Sequence, residues 1–140
     1  MVLSHITLVC SDLEKTGLLL KKIFAAVEYY ATQHQLYSLA REKFFKIGDL
    51  WLVIMEGTSI DRSYNHIAFQ VDGSRFPWFR HELAKLGLEI LPGRKRSPEE
   101  GDSIYFHDYD NHLFELHSGN LEKRLRYYQN HDQRFSLSGG

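Results

Sequence analysis

The feature that most constrains the fold of this chain is an internal repeat. The segments 4–9 (SHITLV) and 65–71 (NHIAFQV) read alike and place His5 and His66 61 positions apart. Each segment alternates and is rich in β-branched and aromatic residues, which predicts a strand. Similarity at a fixed spacing indicates that one supersecondary unit occurs twice.

A helix is predicted after each repeated strand. Ser11 to Glu14 forms a capping-box pattern before a first apolar series, and Ser74 precedes a second one that ends at Gly87. The short strands predicted next lie at about 28–33, 36–41 and 50–56, then at about 89–91, 103–107 and 112–117. The sequence therefore predicts one α+β domain over 1–140. It contains βαβββ modules over about 1–60 and 63–119, with a C-terminal helix and tail over 120–140.

Composition and charge limit the function. The chain has 140 residues, of which 43% are hydrophobic and 25% charged, which is typical of a globular domain. A net charge of -1 gives no basic field for nucleic acid or an anionic membrane, and no apolar run is long enough to cross a bilayer. Cys10 is the only cysteine, so no internal disulfide can form, and a reducing compartment, the cytoplasm, is expected.

Two histidines and one carboxylate are candidate metal ligands. Residues i and i+2 of a strand share a face, so His5 lies beside Thr7. His5 and His66 occupy equivalent positions of the repeat and can converge near a pseudo-twofold axis, where Glu115 joins them from the last strand. The counterpart of Glu115 is Val53, which cannot ligate, so three ligands leave coordination positions open. The set suits Mn, Fe, Co, Ni or Zn, although each residue alone also fits an ordinary role at a strand end or surface.

Four segments carry a resemblance to a known family. They are 3–8 (LSHITL), 41–45 (REKFF) with the following LW at 50–51, 64–69 (YNHIAF), and 101–106 (GDSIYF) running to 111–117 (NHLFELH). With the repeat, they resemble the vicinal oxygen chelate superfamily, which includes glyoxalase I and the extradiol dioxygenases. Within it they are most similar to the FosX-type epoxide hydrolases among the fosfomycin resistance proteins, over about 2–128.

This resemblance implies a glyoxalase-like barrel and metal-dependent opening of the fosfomycin epoxide with water to a diol, which confers antibiotic resistance. It implies manganese held by His5, His66 and Glu115, with Glu42 as general base. The residues implied to contact the substrate are Thr7, Tyr64, Arg94, Ser103, Tyr105 and Arg124, with Arg96 as the alternative to Arg94 in the basic loop. A homodimer is implied as well, and the sequence fits modules that are exchanged between chains or kept within one.

Other functions remain open at this point. A thiol transferase acting on fosfomycin and a metal-free drug-binding module are the main alternatives. Glyoxalase chemistry is disfavoured because Val53 removes a fourth ligand, and ring-cleaving dioxygenases are usually longer. Without the resemblance, Glu42 in its Arg-Glu-Lys run fits a solvated turn residue.

Overall fold

The chain forms two sheets of identical topology, each with its own helix. The computed structural model describes residues 1–94 and 96–138, the last six by their backbone alone. The first half contains β1 (His5–Cys10), α1 (Leu13–Phe24), β2 (Val27–Ala31), β3 (Glu42–Ile47) and β4 (Leu50–Glu56). The second half contains β5 (His66–Gln70), α2 (Phe76–Lys85), β6 (Ile90–Leu91), β7 (Ser103–His107) and β8 (Leu113–His117), and α3 (Leu121–Ser138) follows. Short 3₁₀ turns lie at Gly73–Arg75 and Pro98–Glu100.

Strand order confirms the predicted α+β repeat. The sheets run β1-β4-β3-β2 and β5-β8-β7-β6. In each, the first strand is parallel to the fourth and the other pairs are antiparallel. His5 pairs with Trp51 and His66 pairs with Leu113, so the two histidines occupy matching positions in their sheets.

One face of each sheet packs into a common core. Leu52 and Ile54 of the first sheet and Phe114 and Leu116 of the second are almost completely buried. Phe24 of α1 contacts the second sheet, with its ring centroid 4.7 Å from that of Phe69 and 5.2 Å from that of Phe114. The helix of the first half therefore packs against the sheet of the second, and the buried apolar area stabilises both.

The opposite face of each sheet is left for other contacts. We call them the first open face, with His5, Thr7, Glu42, Phe44, Trp51 and Val53, and the second open face, with His66, Ala68, Ser103, Tyr105, His107, Leu113, Glu115 and His117. Membership follows from pairing, because directly paired residues project to the same side. All the predicted metal ligands lie on these two faces.

Three local predictions were wrong. The segment 36–41 is not a strand: Leu36, Tyr37 and Leu39 are exposed, and the strand pairing starts only at Glu42, whose carbonyl accepts from the Thr32 amide. Asp12, rather than Ser11, caps α1 by accepting from the Lys15 amide. Ser74 does not cap α2, which has no side-chain cap.

Two further findings bear on the sequence predictions. Within the described part of the chain, no helix combines the length and the apolar character needed to cross a membrane. Cys10 is a free and fully buried thiol.

Candidate metal centre

His66 and Glu115 meet on the second open face. His66 begins β5, and Glu115 lies in the middle of β8 opposite Ala68. The Nε2 of His66 is 3.1 Å from Oε1 of Glu115. The Nδ1 of His66 lies 2.8 Å from the Tyr64 carbonyl oxygen, which can only accept, so Nδ1 carries the hydrogen. The lone pair of Nε2 then faces a carboxylate oxygen, an arrangement that requires a shared cation, either a proton or a metal ion.

The second oxygen of Glu115 is held by a directional chain of hydrogen bonds. Arg124 lies 3.2 Å from Nε2 of His117 and can only donate, so that nitrogen accepts and the ring hydrogen sits on Nδ1. Nδ1 of His117 then donates to Ser103 Oγ at 2.7 Å, and Ser103 donates its own hydrogen to Oε2 of Glu115 at 2.6 Å. Arg96 approaches the same oxygen at 3.4 Å. Oε1 is therefore the oxygen of Glu115 that remains directed at His66.

The electrostatics favour an ionised ligand beside a neutral phenol. Burial alone raises the pKa of Glu115, but the hydrogen bonds from Ser103 and Tyr105 and the nearby His117 and Arg96 outweigh it, and the pKa is held below its usual range. Burial, with contributions from Tyr64 and Glu115, raises the pKa of Tyr105 to about 12. Glu115 can therefore bind a cation as a carboxylate, while Tyr105 keeps its proton.

His5 lies apart from this pair within one chain. Its ring packs on Trp51 with centroids 4.3 Å apart, and its Nδ1 is 2.9 Å from Ser4 Oγ, both in the first half of the molecule. Among the side chains that the structure describes, no three of His, Cys, Asp or Glu are grouped to hold a metal ion. A single chain thus brings together two of the three predicted ligands and presents the third on the other sheet.

Glu42 lies on the same open face as His5. It opens β3 and pairs with Met55 of β4, next to the pair formed by Phe44 and Val53. Only 7% of Glu42 is exposed, so the interpretation as a solvated turn residue is wrong. In the described part of the chain its carboxylate accepts no hydrogen bond, whereas its backbone is paired with Thr32.

The basic loop places its two described arginines differently. Arg96 donates to the Tyr105 hydroxyl at 2.9 Å and reaches Glu115, and its side chain is only 6% exposed. Arg94 instead pairs with Glu100 at 2.8 Å and contacts the Tyr128 hydroxyl. The arginine beside the candidate metal centre is therefore Arg96, which the sequence had left as the alternative.

The other residues predicted to contact the substrate lie on or beside the second open face, except Thr7, which lies on the first open face. Tyr64 stacks on Tyr105 at 6.4 Å and meets the His66 ring edge-on at 5.0 Å. Arg124 and His117 help line a cavity of about 300 Å³ that includes His66 and Glu115. His117 lies two residues after Glu115 in β8, and this spacing is the sequence signal that the two side chains share a face. Thr7 is exposed on the first open face.

Comparison with known proteins gives close relatives over almost the whole chain. No protein-family model matches it. The fosfomycin resistance protein FosX of Listeria innocua is 52% identical over 127 residues, which cover 90% of this chain and 96% of that protein. The metallothiol transferase FosB of Bacillus licheniformis is 35% identical, covering 99% and 88%.

A solved structure extends the likeness to the fold. It is that of a mutant FosX from Listeria monocytogenes in complex with Mn(II) and dihydroxypropylphosphonic acid, 50% identical, with a TM-score of 0.82. It covers 91% of this chain and 97% of the other. The predicted fold is confirmed by this match, and at such identity and coverage the chain belongs to the FosX family of fosfomycin resistance proteins.

Proposed function

We propose that this protein is a Mn²⁺-dependent hydrolase that opens the epoxide of fosfomycin with water to give a diol, and so confers resistance. The observation that carries the proposal is the 3.1 Å approach of His66 Nε2 to Glu115 Oε1, with Arg96 and Arg124 nearby. Imidazole and carboxylate donors suit a divalent ion of this kind. Support also comes from the FosX relative that was solved with Mn(II) and a diol phosphonate.

The third ligand in this proposal is His5 from a second copy of the chain. His5 is exposed on the first open face, and its own chain keeps it away from His66 and Glu115. A homodimer that sets the first open face of one protomer against the second open face of its partner would complete two equivalent sites. Isologous contacts of this kind are the commonest form of protein assembly.

Glu42 is the proposed general base. On the first open face it would cross the interface together with His5, so that the base and the third ligand come from the same chain. Its carboxylate takes a proton from water while the water oxygen bonds to an epoxide carbon. The carbon–oxygen bond of the ring breaks, and the ring oxygen takes up a proton from solvent water to become the second hydroxyl group of the diol, while Glu42 returns its proton to solvent. General bases of this type contribute about 10²- to 10⁴-fold.

The second open face would bind the phosphonate. Arg96 and Arg124 supply positive charge next to Glu115, and charge-assisted hydrogen bonds to phosphonate oxygens are stronger than neutral ones. Tyr105 and Tyr64 are neutral hydroxyl groups near the same position. A bound divalent ion would supply Lewis acidity to the phosphonate and ring oxygens. Arg94 and Thr7 remain predicted substrate contacts.

Phosphorus NMR on the purified full chain tests the reaction. Fosfomycin is incubated with protein loaded with Mn²⁺, Zn²⁺, Ni²⁺ or Co²⁺, with and without glutathione or cysteine. The expected product is the diol phosphonate, formed fastest with Mn²⁺ and without thiol. Turnover only with thiol would establish the transferase activity named for the FosB relative. Tight fosfomycin binding without bound metal or product would instead favour a drug-binding module.

Mixed dimers test the shared site. His5→Ala and His66→Ala chains are each expected to be inactive, because each loses one ligand from both sites. After mixing and subunit exchange, a heterodimer has one site with all ligands intact, so activity should return. Mixed samples that stay inactive although mass spectrometry detects heterodimers would contradict the shared site. A cytoplasmic location is proposed as well, in keeping with the free thiol of Cys10.

A further inference from the structure

A cleft beside the candidate metal centre shares Tyr64, Tyr105 and Arg94 with the proposed substrate contacts, whereas the rest of its lining has no part in the proposed reaction. It has a volume of about 560 Å³, and Tyr64 and Tyr105 form the wall that it shares with the metal centre. Leu91, Pro92 and Leu113 give it an apolar lining, and His107 lies within it. Volumes of this size accommodate ligands much larger than a three-carbon phosphonate.

His107 is the unusual group in this cleft. It ends β7, is 9% exposed, and neither of its ring nitrogens has a hydrogen-bond partner within the described residues. Burial, and then the charge of Arg62, lowers its pKa, so the ring is neutral and carries one N–H and one lone pair. Buried polar groups are normally paired, so a histidine that lacks partners within its own chain calls for one from a bound ligand or from the protomer opposite the second open face.

The register places the cleft along the path of a longer substrate. His107 pairs with Leu113, one open-face position beyond the pair formed by Tyr105 and Glu115. Two residues along a strand correspond to about 7 Å, a distance that a short alkyl chain spans. Arg124 and His117 lie on the other side of Glu115, so a phosphonate bound there would direct its carbon substituent toward His107.

We propose that this cleft is a substrate subsite for an epoxyalkyl phosphonate whose carbon chain extends beyond the epoxide and ends in a hydroxyl group bound by His107. The inference rests on the proposed function. A hydroxyl group matches a neutral imidazole because it can accept from the ring N–H or donate to the ring lone pair, whereas a carboxylate can only accept. An ammonium group is disfavoured by Arg62, which lines the cleft and whose charge already acts on His107. A turn of the ring about its Cβ–Cγ bond, a soft torsion, presents either nitrogen.

The test compares matched substrates on the Mn²⁺-loaded full chain. The methyl group of fosfomycin is replaced by propyl or by 3-hydroxypropyl, and kcat/KM for diol formation is measured by phosphorus NMR. The hydroxypropyl epoxide is expected to exceed the propyl epoxide by about tenfold, the value of one net hydrogen bond. His107→Phe should bring this ratio to about one, while His81→Asn, on the exposed side of α2, should retain it.

The possible results distinguish a failure of the proposed subsite from a failure of the proposed function. Two results would overturn the subsite alone while fosfomycin is still hydrated. One is equal turnover of the propyl and hydroxypropyl epoxides, and the other is rejection of both because a partner chain fills the cleft. If no epoxide is hydrated, the proposed function fails. Calorimetry with the corresponding diol phosphonates then tests the subsite by itself, and equal affinity for the propyl and hydroxypropyl compounds overturns it. Neither the wild-type ratio nor calorimetry depends on a variant that folds.

Discussion

Replacing Ser103 with alanine removes the hydrogen bond that orients the carboxylate of Glu115. The bond is 2.6 Å long, its acceptor is charged, and Glu115 is only 5% exposed, so solvent screens it little. A hydrogen bond to a charged group contributes about 1.5–3 kcal/mol. The hydrogen bond is present with and without the metal ion. Therefore only the fraction of its free energy that keeps Oε1 directed at His66 contributes to the affinity for metal. We therefore expect the lower end, about 1.5 kcal/mol, which corresponds to slightly more than about tenfold weaker Mn²⁺ binding.

The assay is a Mn²⁺ titration in which electron paramagnetic resonance reports the free ion. Ser103→Thr keeps a hydroxyl group and should recover most of the affinity, and Ser74→Ala, in an exposed turn, is the matched control. Wild-type Mn²⁺ affinity of Ser103→Ala, together with a raised KM for fosfomycin, would contradict this role of Ser103. That result would make Ser103 a direct substrate contact, as the family resemblance implied.

Three further predictions follow from other parts of the structure. Glu42→Gln should reduce hydration by about 10²- to 10⁴-fold with Mn²⁺ stoichiometry unchanged, and activity within threefold of wild type would remove Glu42 from the mechanism. Gly101→Ala should destabilise the fold by about 3 kcal/mol in urea unfolding, because φ is 84° and a Cβ would lie 2.5 Å from the Gly119 nitrogen; an unchanged midpoint would disprove that clash. Lys43→Met should cost about 1 kcal/mol at neutral pH through the ion pair with Glu28. Burial raises the pKa of Glu28 but Lys43 lowers it further, so this stability is present above the ordinary carboxyl range and is lost as the pH falls through the lowered pKa. The stability gap between Lys43→Met and wild type should therefore shrink in acid, and a gap that widened would contradict the assignment.

Local residue patterns were sufficient to predict the module and its repetition. Period-two alternation in 4–9 and 65–71 and the apolar series after each segment depend on local burial, which is the same wherever the module packs. The offset of 61 between His5 and His66 was therefore enough to place them at matching positions of two sheets. The prediction of a strand at 36–41 was wrong because the apolar residues there, such as Leu39, fit a paired strand and an exposed loop equally well.

The way in which the two sheets and the basic loop meet depends on packing between elements that are distant in the sequence. Periodicity tells which side of a strand is buried, but not which sheet faces which, so the separation of His5 from His66 and Glu115 within one chain could not be read from it. The choice of Arg96 beside Glu115 depends on the path of an irregular loop. The direction of the hydrogen bonds from Arg124 through His117 and Ser103 to Glu115 depends on contacts between residues distant in sequence. Such contacts are set by packing across elements, which no local pattern of residues encodes.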